Sequence, residues 1–208
     1  MPPPRSSSWA PPWPGRAVQA ARKTGYDGPI TLVGAETHLP CDRPPLSKAF
    51  LRADTAPADT ALLTRPELDA LDVDLRLGQT ATGLDPDHRE VHVGGDRLPY
   101  RAVVLATGAN ARPMPGRHLP GVHTLRTIED ARAVRAALDA GARTVVVGAG
   151  FIGAEVASAA AARGLPVTII EAARQPLVRA VGEYMAGTIA GLHARHGTEL
   201  HCGTLCGR

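Results

Sequence analysis

No stretch of this sequence approaches the ~20 consecutive apolar residues that span a bilayer, and the N-terminus lacks the apolar segment of a secretory signal. The expectation is a cytoplasmic chain with no membrane partner. Lysine and arginine never gather in a block, and the net charge is a mild +3. Nothing beyond the basic isoelectric point favours nucleic acid, which is therefore not expected as a ligand, while an acidic protein surface stays open as a partner. Cysteine is scarce: Cys41, Cys202 and Cys206 make no disulfide framework. The C-x3-C spacing of the last two lacks the further ligands zinc requires, so free thiols and no metal are expected. The eight histidines show no ligand spacing either. His193 and His196 stand three apart on an expected helix without a carboxylate motif, and read as surface residues. Aromatics make up only 3% of the chain.

What is present is glycine in a particular setting. Residues 144–155 read TVVVGAGFIGAE, and residues 166–171 read PVTIIE. The β-branched run Thr144–Val147 has the composition of a strand buried on both faces. Gly148, Gly150 and Gly153 form G-x-G-x-x-G and lead into an Ala-rich helix that Gly164 ends as a C-cap. A second apolar run, Val167 to Ile170, closes on Glu171, about 20 residues beyond the glycines as a dinucleotide fingerprint requires. Gly148 allows the tight turn, Gly150 lets backbone approach a pyrophosphate, and Gly153 lets helix and strand pack closely. The first helical N–H groups then face the phosphates. Glu171 accepts from a ribose hydroxyl and repels a 2′-phosphate, which favours NAD(H) over NADP(H); the nearby Arg174 weakens that preference. The alternative is a set of tight-turn glycines in an unrelated α/β unit.

At 208 residues there is length for one large or two small domains. Residues 1–16 are rich in Pro, Ser and Trp and fit neither period; disorder or poor packing is expected there. A short helix pattern runs from Ala17 to Thr24, stopped by Gly25. A buried-strand run, Ile30 to Gly34, then ends near Glu36. Val73–Leu77 alternates as a strand, and 83–99 reads as a small meander with a Gly94-Gly95 turn. Ala102–Ala106 reads as another buried strand ending at Thr107-Gly108. The Pro-rich stretch 113–120 is the best boundary. Thr127 and Asp130 resemble a capping box for a helix to Leu138, Val178–His196 reads as helix, and Glu199–Cys202 as the start of a strand.

Helix, strand and acid at residues 17–36 form the second half of a βαβ unit whose first half belongs at residues 5–16. With TCG serines and a GCG alanine, residues 6–15 read one base earlier give Val-Val-Val-Gly-Ala, a small residue, an apolar one and Ala. That is a strand entering a glycine turn. The expectation is a short frameshift over the first dinucleotide-binding turn, restored near Arg16; the alternative is chance in a low-complexity tail.

Taken together, ITLVG at 30–34 with DRPPLSK at 42–48, LATG at 105–108 with Arg112-Pro113, and VGAGFIGAE at 147–155 resemble the FAD-containing, NAD-linked ferredoxin reductases of the pyridine-nucleotide oxidoreductase class. The resemblance spans roughly residues 17–200. It implies an α/β fold of two Rossmann-like nucleotide-binding domains with three-layer, mostly parallel sheets, both incomplete. Residues 17–115 would be a partial FAD-binding domain and 116–208 a partial NAD-binding domain. It implies that Arg43 and Lys48 contact FAD, with Lys48 near the flavin ring and Glu155 facing that lysine as the two catalytic residues. Glu36 matches the acid at the adenosine ribose, and Ala81, Thr107, Gly108 and Arg112 match segments along the FAD. Gly148, Gly150, Phe151, Ile152, Gly153 and Glu171 match the NADH site. The implied activity is electron transfer from NADH through FAD to a ferredoxin-type iron–sulfur protein. Relatives that use a disulfide carry C-x4-C where this chain has only Cys41, so thiol–disulfide chemistry is not expected. Later parts of such proteins, a Gly-Asp segment at the flavin and a C-terminal domain over the ring, find no match here, and a non-catalytic remnant that at most binds NAD(H) is the competing reading. Plainer roles remain for the individual residues: Lys48 and Arg43 as a solvated charged turn, Glu155 as a complement to the helix dipole, Thr107-Gly108 as an ordinary strand end.

Overall fold

The structure, a computed structural model, describes residues 13–54, 60–112, 114, 116 and 118–205. It divides into two compact units, one drawn from Met1–Arg43 and Thr60–Ala109, the other from Pro44–Asp59 and Asn110–Arg208. The sequence division at residues 115 and 116 is consecutive, whereas these units interleave: the Pro-rich segment after Arg43 goes with the second.

The first unit starts with helix α1, Trp13–Lys23. It begins four residues before the periodic pattern does, because Pro14 sits in the first turn, where a missing N–H costs nothing. Most of the stretch expected to be disordered or frameshifted, residues 1–12, lies outside the described residues. Strand β1, Ile30–Gly34, pairs in parallel with β2, Val73–Leu77, from Ile30 opposite Val73 to Gly34 opposite Leu77. Between them stands α2, Arg65–Ala70, whose start is closed by a Thr64/Glu67 capping box. Arg22 ties the unit together. Its guanidinium donates to the carbonyls of Leu71 at 2.8 Å, Gly28 at 2.7 Å, Tyr26 at 2.8 Å and Asp72 at 3.0 Å, fixing the entries to both strands. An antiparallel meander follows: β3 (Ala81–Asp85), β4 (Glu90–Val93) and β5 (Asp96–Pro99). Gly94 takes the left-handed φ of 59° that a two-residue hairpin turn asks of its first residue.

One expected strand is not there. Residues 102–106 have no regular structure, and Val104 and Leu105 are 70% and 67% exposed. Apolar composition alone does not make a strand; its N–H and C=O groups need a neighbouring strand, and none lies beside it among the described residues.

The second unit is a consecutive β-α-β-α-β run preceded by a helix. Helix α3, Ile128–Asp139, opens with the expected Thr127/Asp130 capping box. Strand β6 (Thr144–Val147), helix α4 (Phe151–Ala161), strand β7 (Val167–Glu171), helix α5 (Val178–Arg195) and strand β8 (Thr198–Cys202) follow, with an all-parallel sheet in the order β6-β7-β8. The end of α4 is a Schellman motif: Gly164, at φ 72°, donates to Ala161 O and Leu165 donates to Ala160 O. In α5, Gly182 interrupts the helical backbone at φ 78°.

The core of this unit gathers Leu46, Phe50 and Leu51, Ala131, Val134 and Leu138 of α3, Ala157 and Ala160 of α4, and Val167 and Ile169 of β7. Burying side chains such as Leu51 and Ile169, both 0% exposed, stabilises by about 1.5–3 kcal/mol each. The expectation that β6 is buried on both faces is corrected: Val146 packs against the core, while Val145 and Val147 are 57% and 44% exposed. Among the described residues the buried cluster takes Val146 and leaves Val145 and Val147 open. His193 also differs from its reading as a surface residue. It is half-buried on α5, and its Nε2 is a buried atom without a hydrogen-bond partner among the described residues, while His196 is exposed.

Candidate dinucleotide-binding site

The site is built where β6 turns into α4. Gly148 adopts φ 103°, a conformation L side chains rarely take, and its N–H donates to Ile170 O at 2.7 Å, tying the turn to β7. Gly150 is the N-cap of α4 with extended backbone and no side chain to cap the helix. A Cβ at Gly150 would meet nothing within 4 Å, so the space above it is open. A Cβ at Gly153 would lie 2.0 Å from Gly148 O, so only glycine lets the first turn of the helix press onto the strand end. A cap-free helix start with open space before it is the arrangement that accepts a phosphate. Phe151 and Ile152, 42% and 51% exposed, stand at its rim.

Glu171, at the end of β7, closes the opposite side. Its Oε2 accepts from the N–H of Ala149 at 2.6 Å and its Oε1 from the N–H of Ala173 at 2.8 Å. Ala149 is fully buried, so the carboxylate supplies that amide with an acceptor water cannot replace. Cys202 pairs with Glu171 in register on β8. Burial, and secondarily the Glu171 charge, push its thiol up from the ordinary value, so it rests there as a neutral thiol. Arg174 is exposed on the loop beyond.

A second cluster in the same unit centres on Glu155, in the second turn of α4. Its Oε1 lies 3.0 Å from Lys48 Nζ, and its Oε2 accepts from the Ser47 hydroxyl at 2.5 Å. The carboxylate is thus engaged by side chains and does not cap its own helix. Lys48 follows a short 3-10 turn, Pro44–Ser47, and precedes another, Ala49–Leu51. Two arginines hold this segment: Arg135 donates to Phe50 O at 2.7 Å, and Arg163 donates to Leu51 O at 2.6 Å while its other nitrogens reach Asp139 Oδ1 at 2.8 and 3.0 Å. Sequence reasoning named Lys48 and Glu155 but not Ser47, Arg135 or Arg163; partners separated by 85 to 112 positions leave no spacing signal.

In the first unit, Glu36 and Arg43 form an ion pair at 2.6 Å, both partly exposed. Ala81 opens β3 and is exposed. Thr107 and Gly108 are exposed and end no strand; Arg112, in the second unit, is exposed outside any helix or strand.

The family described as "Pyridine nucleotide-disulphide oxidoreductase" matches residues 15–207. The chain belongs to this family. Rhodocoxin reductase of Rhodococcus erythropolis is 39% identical over 191 residues, covering 90% of this chain and 45% of that protein. The ferredoxin–NAD(+) reductase component of the p-cumate 2,3-dioxygenase system of Pseudomonas putida is 41% identical over 187 residues, 88% of this chain and 46% of that one. In the crystal structure of a covalent putidaredoxin reductase–putidaredoxin complex, one chain matches with a TM-score of 0.85 at 34% identity, over 93% of this chain and 48% of its own length. The chain therefore spans about half the length of the relatives it matches. Of the three cysteines, Cys41 is buried and Cys202 partly buried on β8; Cys206 lies outside the described residues.

Proposed function

We propose that the protein acts as an NADH-dependent flavoprotein oxidoreductase that passes electrons through FAD to a ferredoxin-type iron–sulfur protein in the cytoplasm. In this reading Gly148, Gly150, Phe151, Ile152, Gly153 and Glu171 hold NAD(H). The observation that carries it is the glycine corner itself: a cap-free helix start with open space at Gly150, faced by a carboxylate already seated in the turn. The relatives whose names pair a reductase with a ferredoxin support the acceptor class.

FAD, when bound, supplies the chemistry: it takes a hydride from the nicotinamide and gives up electrons singly. The described residues fit a flavin dinucleotide in part. In the first unit Arg43 offers a cationic group and Glu36 a ribose acceptor. The glycine turn expected for its pyrophosphate falls mostly outside the described residues, and Thr107-Gly108 is not a strand end. Lys48 and Glu155 form a pair with no net charge that can respond to charge developing on a neighbouring ring. A second reading is a non-catalytic chain that at most binds NAD(H); it is favoured by the second unit forming its own core and nucleotide corner. Absorbance separates the two. Purified protein that stays yellow through gel filtration, with flavin bands bleached by NADH, supports the reductase. Colourless protein that changes NADH fluorescence on mixing supports the second reading.

A further inference from the structure

Ser47 is 6% exposed, one of the few buried polar residues among those described. A buried hydroxyl is retained where it has a partner, and its partner is Glu155 Oε2 at 2.5 Å, 108 positions away. The other oxygen of that carboxylate faces Lys48 Nζ at 3.0 Å, in a pair whose side chains are 46% and 24% exposed. An ion pair so open to water holds its geometry weakly. Ser47 is anchored differently: Leu46, Phe50 and Leu51 beside it are buried, and Arg135 and Arg163 grip the carbonyls of Phe50 and Leu51.

We propose that Ser47 is the positioning residue of the Lys48–Glu155 pair: its hydroxyl fixes Oε2 of the carboxylate and so keeps Oε1 turned to the ammonium. A hydroxyl suits this task because it is a short, neutral donor. It orients the carboxylate and leaves the charge of the pair at zero, where a second cation would not. This deepens the flavoprotein reading, on which the use of the pair rests, yet it concerns a contact present without any cofactor.

The test exploits a scarcity: the chain has two lysines, Lys23 and Lys48. Reductive dimethylation with formaldehyde and borane, read by mass spectrometry as the Lys48 to Lys23 ratio, reports whether the Lys48 ammonium is engaged. Glu155→Gln sets the level reached without the carboxylate. Ser47→Ala is expected to raise the ratio toward that level, by about two- to fivefold, the reach of an ion pair so open to water, and Ser47→Thr to keep it near wild type. Should Ser47→Ala unfold, both lysines react together, and Ser47→Cys, similar in size but a weak donor, replaces it: a raised ratio in Ser47→Cys beside a wild-type ratio in Ser47→Thr supports the role. A folded Ser47→Ala or Ser47→Cys with the wild-type ratio overturns it. Flavin absorbance of the same samples is scored separately. A colourless wild type with the Ser47 effect intact removes the flavin reading alone, and a yellow wild type with an unmoved ratio removes the Ser47 role alone.

Discussion

Replacing Glu171 by alanine removes two hydrogen bonds at once, and the structure says what each is worth. The bond from Ala149 N–H, at 2.6 Å, leaves behind an amide in a fully buried residue. Loss of a hydrogen bond to a charged acceptor, with the donor left unsatisfied, costs about 1.5–3 kcal/mol. The bond from Ala173 N–H, at 2.8 Å, involves a half-buried residue that water can partly serve, so a cost nearer 1 kcal/mol applies. Together about 3 kcal/mol of local stability at the corner should go, which is roughly a hundredfold loss of hydrogen-exchange protection at the Ala149 amide. Glu171→Gln should fall between: its amide oxygen still accepts one N–H, while its NH2 group faces the other donor. Glu171→Arg should lose both bonds and also move relative affinity from NADH toward NADPH, since a guanidinium attracts the 2′-phosphate the carboxylate repels. Exchange measured by NMR reads the first effect and nucleotide titration the second. Unchanged Ala149 protection in Glu171→Ala refutes the seating of the carboxylate; unchanged NADH and NADPH affinities in Glu171→Arg refute its place at a ribose.

The second and third glycines of the corner should behave oppositely. Gly153→Ala, whose Cβ would sit 2.0 Å from Gly148 O, should cost about 1–3 kcal/mol of stability or more and abolish the NADH response, whereas Gly150→Ala should keep its melting temperature and weaken NADH alone. Arg163→Ala, removing a side chain 6% exposed with contacts to Leu51 O and Asp139, should destabilise by about 3 kcal/mol as read by thermal melting. Burial holds the His193 imidazole below its ordinary 6.5, so the unfolded chain takes up that proton first; stability should rise with pH through the window below about 6.5 and level off above it, and His193→Gln should flatten that slope. Sequencing the gene should return TCG codons for Ser6 to Ser8; AGC codons there end the frameshift reading.

How much of this was legible depends on the reach of each interaction. Local signals read well. Strands β2 and β7, the capping box at Thr127, the Gly94-Gly95 hairpin and the corner at Gly148–Gly153 each depend on residues a few positions apart, and backbone sterics fix their meaning. Proline misleads at α1, since Pro14 reads with the tail although the first turn of a helix tolerates it. The Ser47–Glu155–Lys48 cluster and the two arginine clamps join residues that only the tertiary fold brings together, and no period or spacing marks them in advance.

The two strand readings that needed correction share one cause. Ala102–Ala106 and Thr144–Val147 have the same apolar, β-branched character, yet one has no neighbouring strand among the described residues and the other is covered on one face. Such a run records the environment a segment is suited to, which is burial between layers. Whether that environment exists depends on strands and helices elsewhere, to which the run itself is blind. β6 still forms because its backbone is satisfied by β7 from Thr144–Val167 to Val147–Ile170; that pairing needs neither Val145 nor Val147 to be covered. Ladder hydrogen bonds therefore decide whether a strand exists, and side-chain burial decides only how much it adds. The glycine corner hangs on the ladder, through Gly148 N–H to Ile170 O, which is why it forms although Val145 and Val147 stay open among the described residues.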